Sequence, residues 1–329
     1  MAATSEADVL GAPYRRETID LGHDGEGVVV ATLVHRHPVA KSRPAVLHVH
    51  GFCDYFFQTD YAESWVDSGW DFYALDLRKH GRSLLPHQTP NYTEDLTVYF
   101  AELDEAFARI TERDGHRTVV ISGHSTGGLI VALWVARHHP EIAGMVLNSP
   151  FLELGGPAPL RTGLGWALEL SGSRFPDWVI PRPVNGLYGQ SLHVDHGGEW
   201  SFDTDWKPLG SFPVSVGWLR AVHRAQAEAH SGLGITVPIL VLTSERSSFP
   251  HEWEPDVDRT DIVLDAVRLR RWSPALGTCV TSVAIQDALH DVTLSRPEVR
   301  AQVKEEITRW LSAYVPVRAR PSRRTQPSR

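Results

Sequence analysis

The stretch VVISGHSTGGLIVALWVARHH, Val119 to His139, joins two unlike halves. Its opening is short, apolar and β-branched, as a buried strand requires. After the serine, Leu129, Ala132, Leu133 and Ala136 recur at helical spacing. A strand running straight into a helix through Gly123-His124-Ser125-Thr126-Gly127 strains the backbone at the bend. Side chains on its flanks would collide there, so glycine is expected on both sides. The Ser125 hydroxyl then stands at a helix N-terminus, where free N–H groups and the positive dipole end favour a developing anion. The plainer reading is a strand–turn–helix whose serine caps the helix. The pentapeptide alone does not separate the two readings; its context does.

Outward from this stretch, apolar runs alternate with helical patterns. Gly27–Arg36, Pro44–Gly51 and Phe72–Arg78 read as strands, each bounded by turn residues. Thr93–Arg113 reads as a helix with Leu96, Tyr99, Phe100, Leu103, Phe107 and Ile110 on one face and Thr93 as its N-cap. Gly144–Pro150 follows the serine helix as a strand; Val237–Ser244, Cys279–Gln286 and a final helix over Arg296–Val315 complete the alternation. Fully apolar strands alternating with helices predict an α/β protein with a mostly parallel central sheet and helices on both faces. In such sheets the active site lies at the carboxyl ends of the strands, where Ser125 stands.

Acyl transfer needs a base for the serine proton, a carboxylate to orient that base, and donors for the oxyanion. The strand VLHVH ends in His50-Gly51-Phe52, a glycine turn able to aim a backbone N–H inward. The last strand is followed by ALHDVTLS, with His290 just before the final helix. Between them, PILVLTS leads into an acidic stretch carrying Glu245, Asp256, Asp258, Asp261 and Asp265. Nucleophile, acid and histidine thus occur in that chain order, each after a strand.

The pieces HVHGFCDYFFQTDYAESWVDSGWDFYALDLRKHGRS, VVISGHSTGG, DIVLD and ALHDVTLS together resemble an α/β-hydrolase of the monoglyceride lipase and lysophospholipase-like branch, of the S33 serine aminopeptidase type. The resemblance runs from about Gly27 to Val315 apart from the middle of the chain. It implies Ser125 as nucleophile, His290 as general base, Asp261 as orienting acid, and the backbone N–H groups of Phe52 and Thr126 as the oxyanion hole. Tyr55, Lys79 and Thr126 depart from residues common in the family (a second histidine, a glycine and a methionine) without removing a catalytic atom. Asp261 lies beyond the strand end at Ser244 by more than the family usually has, and Glu245 is its nearest competitor.

Residues 151–230 break the alternation, at the position where this family inserts a cap. The expected division is a hydrolase core over 1–150 and 231–316, a cap over 151–230, and a disordered basic tail over 317–329. Five of the eleven tryptophans fall in the cap segment, which suits an apolar lid beside a substrate pocket; Trp166 and Trp178 are its candidate substrate-binding residues. The alternative is that these rings fill the cap's own core.

A net charge of −8 argues against general nucleic-acid binding. Two cysteines, Cys53 and Cys279, form neither a disulfide framework nor a metal cluster and fit a reducing compartment. His48 with His50, and His193 with His196, lack a third element at metal-ligand spacing. With no apolar leader and no run long enough to span a bilayer, the expectation is a cytoplasmic enzyme without stable membrane insertion, metal or organic cofactor. The expected reaction is hydrolysis of a carboxylic ester, small or lipid-like, such as a monoacylglycerol or lysophospholipid, through an acyl-enzyme. An acyltransferase, lactonase, thioesterase or C–C hydrolase would use the same residues, and a ligand-binding scaffold could retain them.

Overall fold

The computed structural model describes residues 5–36, 43–154, 174–181 and 185–315. Among the described residues nine strands form one sheet: β1 (Glu6–Ala7), β2 (Tyr14–Asp24), β3 (Gly27–Arg36), β4 (Ala45–Val49), β5 (Asp71–Asp76), β6 (Val119–His124), β7 (Gly144–Asn148), β8 (Ile239–Ser244) and β9 (Val280–Ile285). Their order is β1-β2-β3-β5-β4-β6-β7-β8-β9. The pairs from β5 to β9 are parallel, while β1, β2 and β3 join antiparallel at one edge.

Period-two side-chain alternation divides the apolar strands between two cores. Leu47, Tyr73, Ile121, Leu147 and Val241 face one side with α2 (Phe100–Ala108), α3 (Thr126–His138) and α5 (Val216–His230). Val46, Phe72, Val120, Val146 and Leu240 face the other, under α1 (Thr59–Asp67) and α7 (Pro297–Tyr314). Two short helices lie between these: α4 (Leu187–Leu192) and α6 (Ala266–Trp272). No helix among the described residues is long and apolar enough to cross a membrane.

Every strand expected from the sequence is present. The segment Thr93–Arg113 differs from expectation: it begins as a tight turn over Leu96–Tyr99, becomes α2, and widens at Arg109–Arg113. Asp95, not Thr93, caps its start, accepting from the Thr97 N–H at 2.9 Å. The Thr93 hydroxyl is turned into a local loop bond with Asp95 O. The strand β2 was hidden by its charges. Its buried Glu17 is balanced by Arg109 at 3.1 Å, by Arg113 and by His35, partners distant in sequence. Trp166 and the basic stretch 317–329 lie outside the described residues.

Candidate active site

The turn after β6 carries Ser125 at φ 51° and ψ −118°, a left-handed backbone in a non-glycine residue. Such strain persists only where the surroundings over-determine it. Two bonds do so: Ser125 N–H donates to Asn148 O at the end of β7, and Ser125 O accepts from Phe151 N–H, both at 2.9 Å. The flanking glycines are required by close approach. A Cβ on Gly127 would lie 2.1 Å from His50 O, and one on Gly123 would lie 2.8 Å from Gly128 Cα. Ser125 makes no side-chain capping bond to its helix, so the plain capping role does not describe it.

At the end of β9, His290 is buried, and its Nδ1 lies 2.8 Å from Asp261 Oδ2. Asp261 is fully buried; its Oδ1 accepts from the N–H groups of Val263 at 2.8 Å and Leu264 at 2.7 Å. The long gap between Ser244 and Asp261 is an excursion whose ends are pinned together. Asp261 N–H donates to Arg246 O at 3.1 Å, and Ser248 N–H donates to Asp261 O at 3.2 Å. Asp261 therefore returns to the end of β8 despite its distance along the chain. It precedes α6 by a turn instead of starting a helix; Asp265 is the N-cap, accepting from Arg268 N–H. Glu245 is exposed, and Asp256 pairs with Arg246 at the surface.

Ser125, Thr126, Phe52 and His290 line one cavity of about 430 Å³. Phe151, Leu154, Ile180, Val214, Trp218 and Leu219 give it an apolar wall. Thr126 is the first residue of α3, and a first-turn N–H has no acceptor within its own helix. Phe52 follows Gly51 beyond β4, and its ring packs on Trp218 at 4.3 Å between centroids. Trp178, expected in the pocket, is instead 69% exposed and absent from the cavity wall. Its ring meets that of Phe175. Among the described tryptophans of this segment, Trp218 is the one that lines the cavity. The reason lies in the helix: α5 turns Trp218 inward with Val222 and Ala225.

The remaining candidates have structural partners. His50 Nε2 accepts from Leu77 N–H at 3.0 Å, and its Nδ1 donates to Gly51 O at 2.8 Å. His48 Nδ1 meets Ser122 Oγ at 3.0 Å, and burial lowers its pKa to about 4. Cys53 Sγ accepts from Phe212 N–H at 3.3 Å, and burial raises its thiol pKa. Tyr55 OH accepts from Asp203 N–H at 2.7 Å.

Sequence reasoning missed four ionisable side chains behind the site. Asp54, His124 and Asp291 bring one ligand-type atom each within 4.8 Å of one another, all buried. His124 Nδ1 lies 3.5 Å from Asp54 Oδ2 and 3.9 Å from Asp291 Oδ2. Lys207 is buried as well, with Nζ 2.9 Å from Asp54 Oδ1. A histidine before the serine and an aspartate after His290 were visible in the sequence; their meeting with residues 54 and 207 was not.

A parallel sheet, a strained serine between strand and helix, and a carboxylate–imidazole pair at neighbouring strand ends define an α/β-hydrolase. The chain belongs to the serine aminopeptidase S33 family, whose model matches residues 40–249. It is 23% identical over 286 residues to a monoacylglycerol lipase of Mycolicibacterium smegmatis, covering 84% of this chain and 91% of that one. It is 30% identical over 191 residues to the uncharacterized protein YnbC of Escherichia coli, covering 57% of this chain but only 30% of that protein's length. Among solved structures it is similar to the monoacylglycerol lipase of Paleococcus ferrophilus, with a TM-score of 0.59 at 18% identity, covering 90% of this chain and 98% of that one. A soluble variant of monoglyceride lipase from Saccharomyces cerevisiae matches with a TM-score of 0.60 at 16% identity, covering 91% and 96% of the two chains.

Proposed function

We propose that this chain is a serine hydrolase that cleaves a carboxylic ester, small or lipid-like, through an acyl-enzyme. The observation that carries this reading is the 2.8 Å bond between His290 Nδ1 and Asp261 Oδ2 in a cavity that Ser125 also lines. With Nδ1 committed to the carboxylate, Nε2 is the nitrogen left to take the proton from Ser125 Oγ. As that proton moves, Oγ bonds to the ester carbonyl carbon. The carbonyl oxygen gains the negative charge between the N–H groups of Phe52 and Thr126. The imidazolium then gives its proton to the departing alcohol oxygen as the C–O bond breaks. Water repeats the sequence on the acyl-enzyme and releases the acid.

The substrate reading rests on the cavity wall and on the relatives named as monoacylglycerol lipases. An apolar wall suits an acyl chain. Among the described residues Lys207 is the only lysine or arginine on that wall, and it is already paired with Asp54. An ester of a neutral alcohol such as a monoacylglycerol therefore fits better than a phosphate-bearing lysophospholipid. The segment 151–230 acts as the lid in this reading, since Phe151, Ile180, Lys207, Leu209 and Trp218 all contribute to the cavity.

The test is fluorophosphonate labelling followed by intact mass, with a panel of esters varied in acyl length and alcohol. One adduct per chain on Ser125 is expected, and a folded chain that stays unlabelled removes the reading. The labelling rate is expected to rise with pH, because only a neutral imidazole can act as base. A rate that does not rise with pH, with chemistry limiting, would falsify histidine as the base.

The two tryptophans give a further expected result. Trp218→Ala enlarges the cavity wall and shifts acyl-length preference toward longer chains. Trp178→Ala removes an exposed ring and leaves the preference unchanged. The same ester panel checks both, and a shift confined to Trp178→Ala reverses the assignment.

A further inference from the structure

Three elements of the proposed site, the oxyanion turn, the nucleophile and the base, each have a near neighbour in sequence within one buried charge cluster. Asp54 stands two residues after Phe52, His124 immediately before Ser125, and Asp291 immediately after His290. The fourth member, Lys207, arrives from the segment between β7 and β8. Its Nζ reaches Asp54 Oδ1 at 2.9 Å and Cys53 O at 3.4 Å, with the rings of Phe57, Tyr188 and Phe202 at 5.8 to 5.9 Å.

We propose that Asp54, His124, Asp291 and Lys207 form an ionic clasp that holds the oxyanion turn, the serine turn and the histidine turn together and sets the electrostatic potential at His290. The proposal rests on the reading of Ser125 and His290 as nucleophile and base.

The geometry carries it. The His124 ring lies 5.0 Å from the His290 ring, centroid to centroid. Its Nδ1 faces Asp54 Oδ2 and Asp291 Oδ2 together, and neither oxygen has a hydrogen-bond partner among the described residues. The other oxygens are occupied: Asp54 Oδ1 by Lys207, and Asp291 Oδ1 by Asn148 Nδ2 at 2.6 Å and by the Thr293 N–H and hydroxyl. Two buried carboxylates with one ammonium leave one negative charge, and burial without compensation is costly. A proton on His124 closes the balance. Burial alone would disfavour that proton, but Asp291 and Asp54 outweigh it and raise the imidazole's pKa above its ordinary value. Burial also opposes both carboxylates, yet Lys207 and His124 hold Asp54 well below the usual range, and His124 foremost lowers Asp291.

The other titratable groups facing this region do not supply the charge. His48 and His50, at the end of β4, are pushed toward the neutral form by burial. Tyr188, whose ring meets His290 at 5.9 Å, is held protonated by burial. Asp261 is committed to His290 Nδ1.

The experiment is the pH dependence of fluorophosphonate labelling at Ser125, compared across charge-changing variants of the full chain. His124→Gln removes a positive charge, leaving the cluster at net −1. The His290 imidazolium is then favoured, and the labelling limb moves to higher pH by about one unit or more, the effect of a unit charge at this range. Asp291→Asn removes the foremost charge holding the His124 proton; the Asp54–Lys207 pair is neutral without that proton, so the limb stays near its wild-type position. Lys207→Met matches His124→Gln in sign with a smaller displacement. In the double variant His124→Gln/Asp291→Asn the cluster is neutral again, and the limb returns toward its wild-type position. A second substitution would not reverse a loosening of the fold, and thermal melting verifies that each variant is folded. Should His124→Gln not fold, Lys207→Met alone and with Asp291→Asn supply the same displacement and return. Limbs that stay fixed in His124→Gln and Lys207→Met, or that Asp291→Asn does not restore, overturn the clasp. So does loss of labelling in EDTA with recovery on adding zinc or magnesium, which would make Asp54, His124 and Asp291 metal ligands. Wild-type protein that never labels at Ser125 removes the underlying reading instead. Labelling in which no variant moves the limb removes only the clasp.

Discussion

Ser125→Ala lowers ester turnover by about 10⁶-fold while leaving the melting temperature nearly unchanged, if the residue acts as the corresponding serine does in serine proteases. The two halves of that expectation have separate causes. In the proposed mechanism the hydroxyl is the atom that bonds to the acyl group, so its removal eliminates the covalent route and leaves only oxyanion stabilisation and binding. The fold loses little, because the Ser125 side chain makes no capping bond and the turn is held by backbone bonds to Asn148 and Phe151. Alanine occupies the same left-handed backbone at a cost serine already bears. A combined Ser125→Ala and His290→Ala variant is expected to be scarcely worse than Ser125→Ala alone, since the two act as a unit. Retention of most activity by the purified single variant would move the chemistry elsewhere in the chain.

The strands flanking this serine were readable because parallel strands covered on both faces carry continuous apolar runs, which nothing polar interrupts. The strand β3 was bounded at Gly27 and Arg36 in both sequence and structure. By contrast, β2 pairs antiparallel at an edge, and its buried Tyr14, Glu17 and Ile19 stand among half-buried and exposed positions without a regular alternation. A buried glutamate reads as a surface residue until Arg109 and Arg113 are known to lie beside it. The same limit hides Asp54 and Lys207. Their ion pair joins residues far apart in the chain, and no local pattern of apolar spacing, turn chemistry or capping encodes such a meeting. The placement of Ser125 and His290 at the carboxyl ends of strands was legible because each follows a recognisable strand. Trp178 was misjudged because tryptophan enrichment says that a segment buries rings, without saying which ring faces the cavity. Once α5 is known, Trp218 follows from its helical register with Val222 and Ala225.

Asp261→Asn is the second large effect expected, a fall in kcat of about 10⁴-fold with little loss of stability. Asp261 uses its two oxygens for different tasks. Oδ1 accepts from Val263 and Leu264 N–H at 2.8 and 2.7 Å, while Oδ2 meets His290 Nδ1 at 2.8 Å. An asparagine keeps the first pair of bonds by placing its oxygen there, which preserves the turn and turns its amide NH₂ toward the imidazole. An NH₂ group can only donate, so Nδ1 must become the acceptor and the proton shifts to Nε2. That tautomer has no lone pair left on Nε2 to accept the Ser125 proton, and the base is disabled without being displaced. The missing carboxylate also removes the charge that stabilises the imidazolium formed during attack. Glu245 had been the competitor on spacing, and its exposed side chain, away from His290, predicts that Glu245→Gln leaves kcat essentially unchanged. Asp261→Ala separates the two tasks of the native carboxylate: it loses the turn bonds as well, so its melting temperature falls where that of Asp261→Asn holds. Steady-state kinetics and melting of the three variants check the assignment, and a Glu245→Gln defect larger than that of Asp261→Asn would transfer the acid to Glu245.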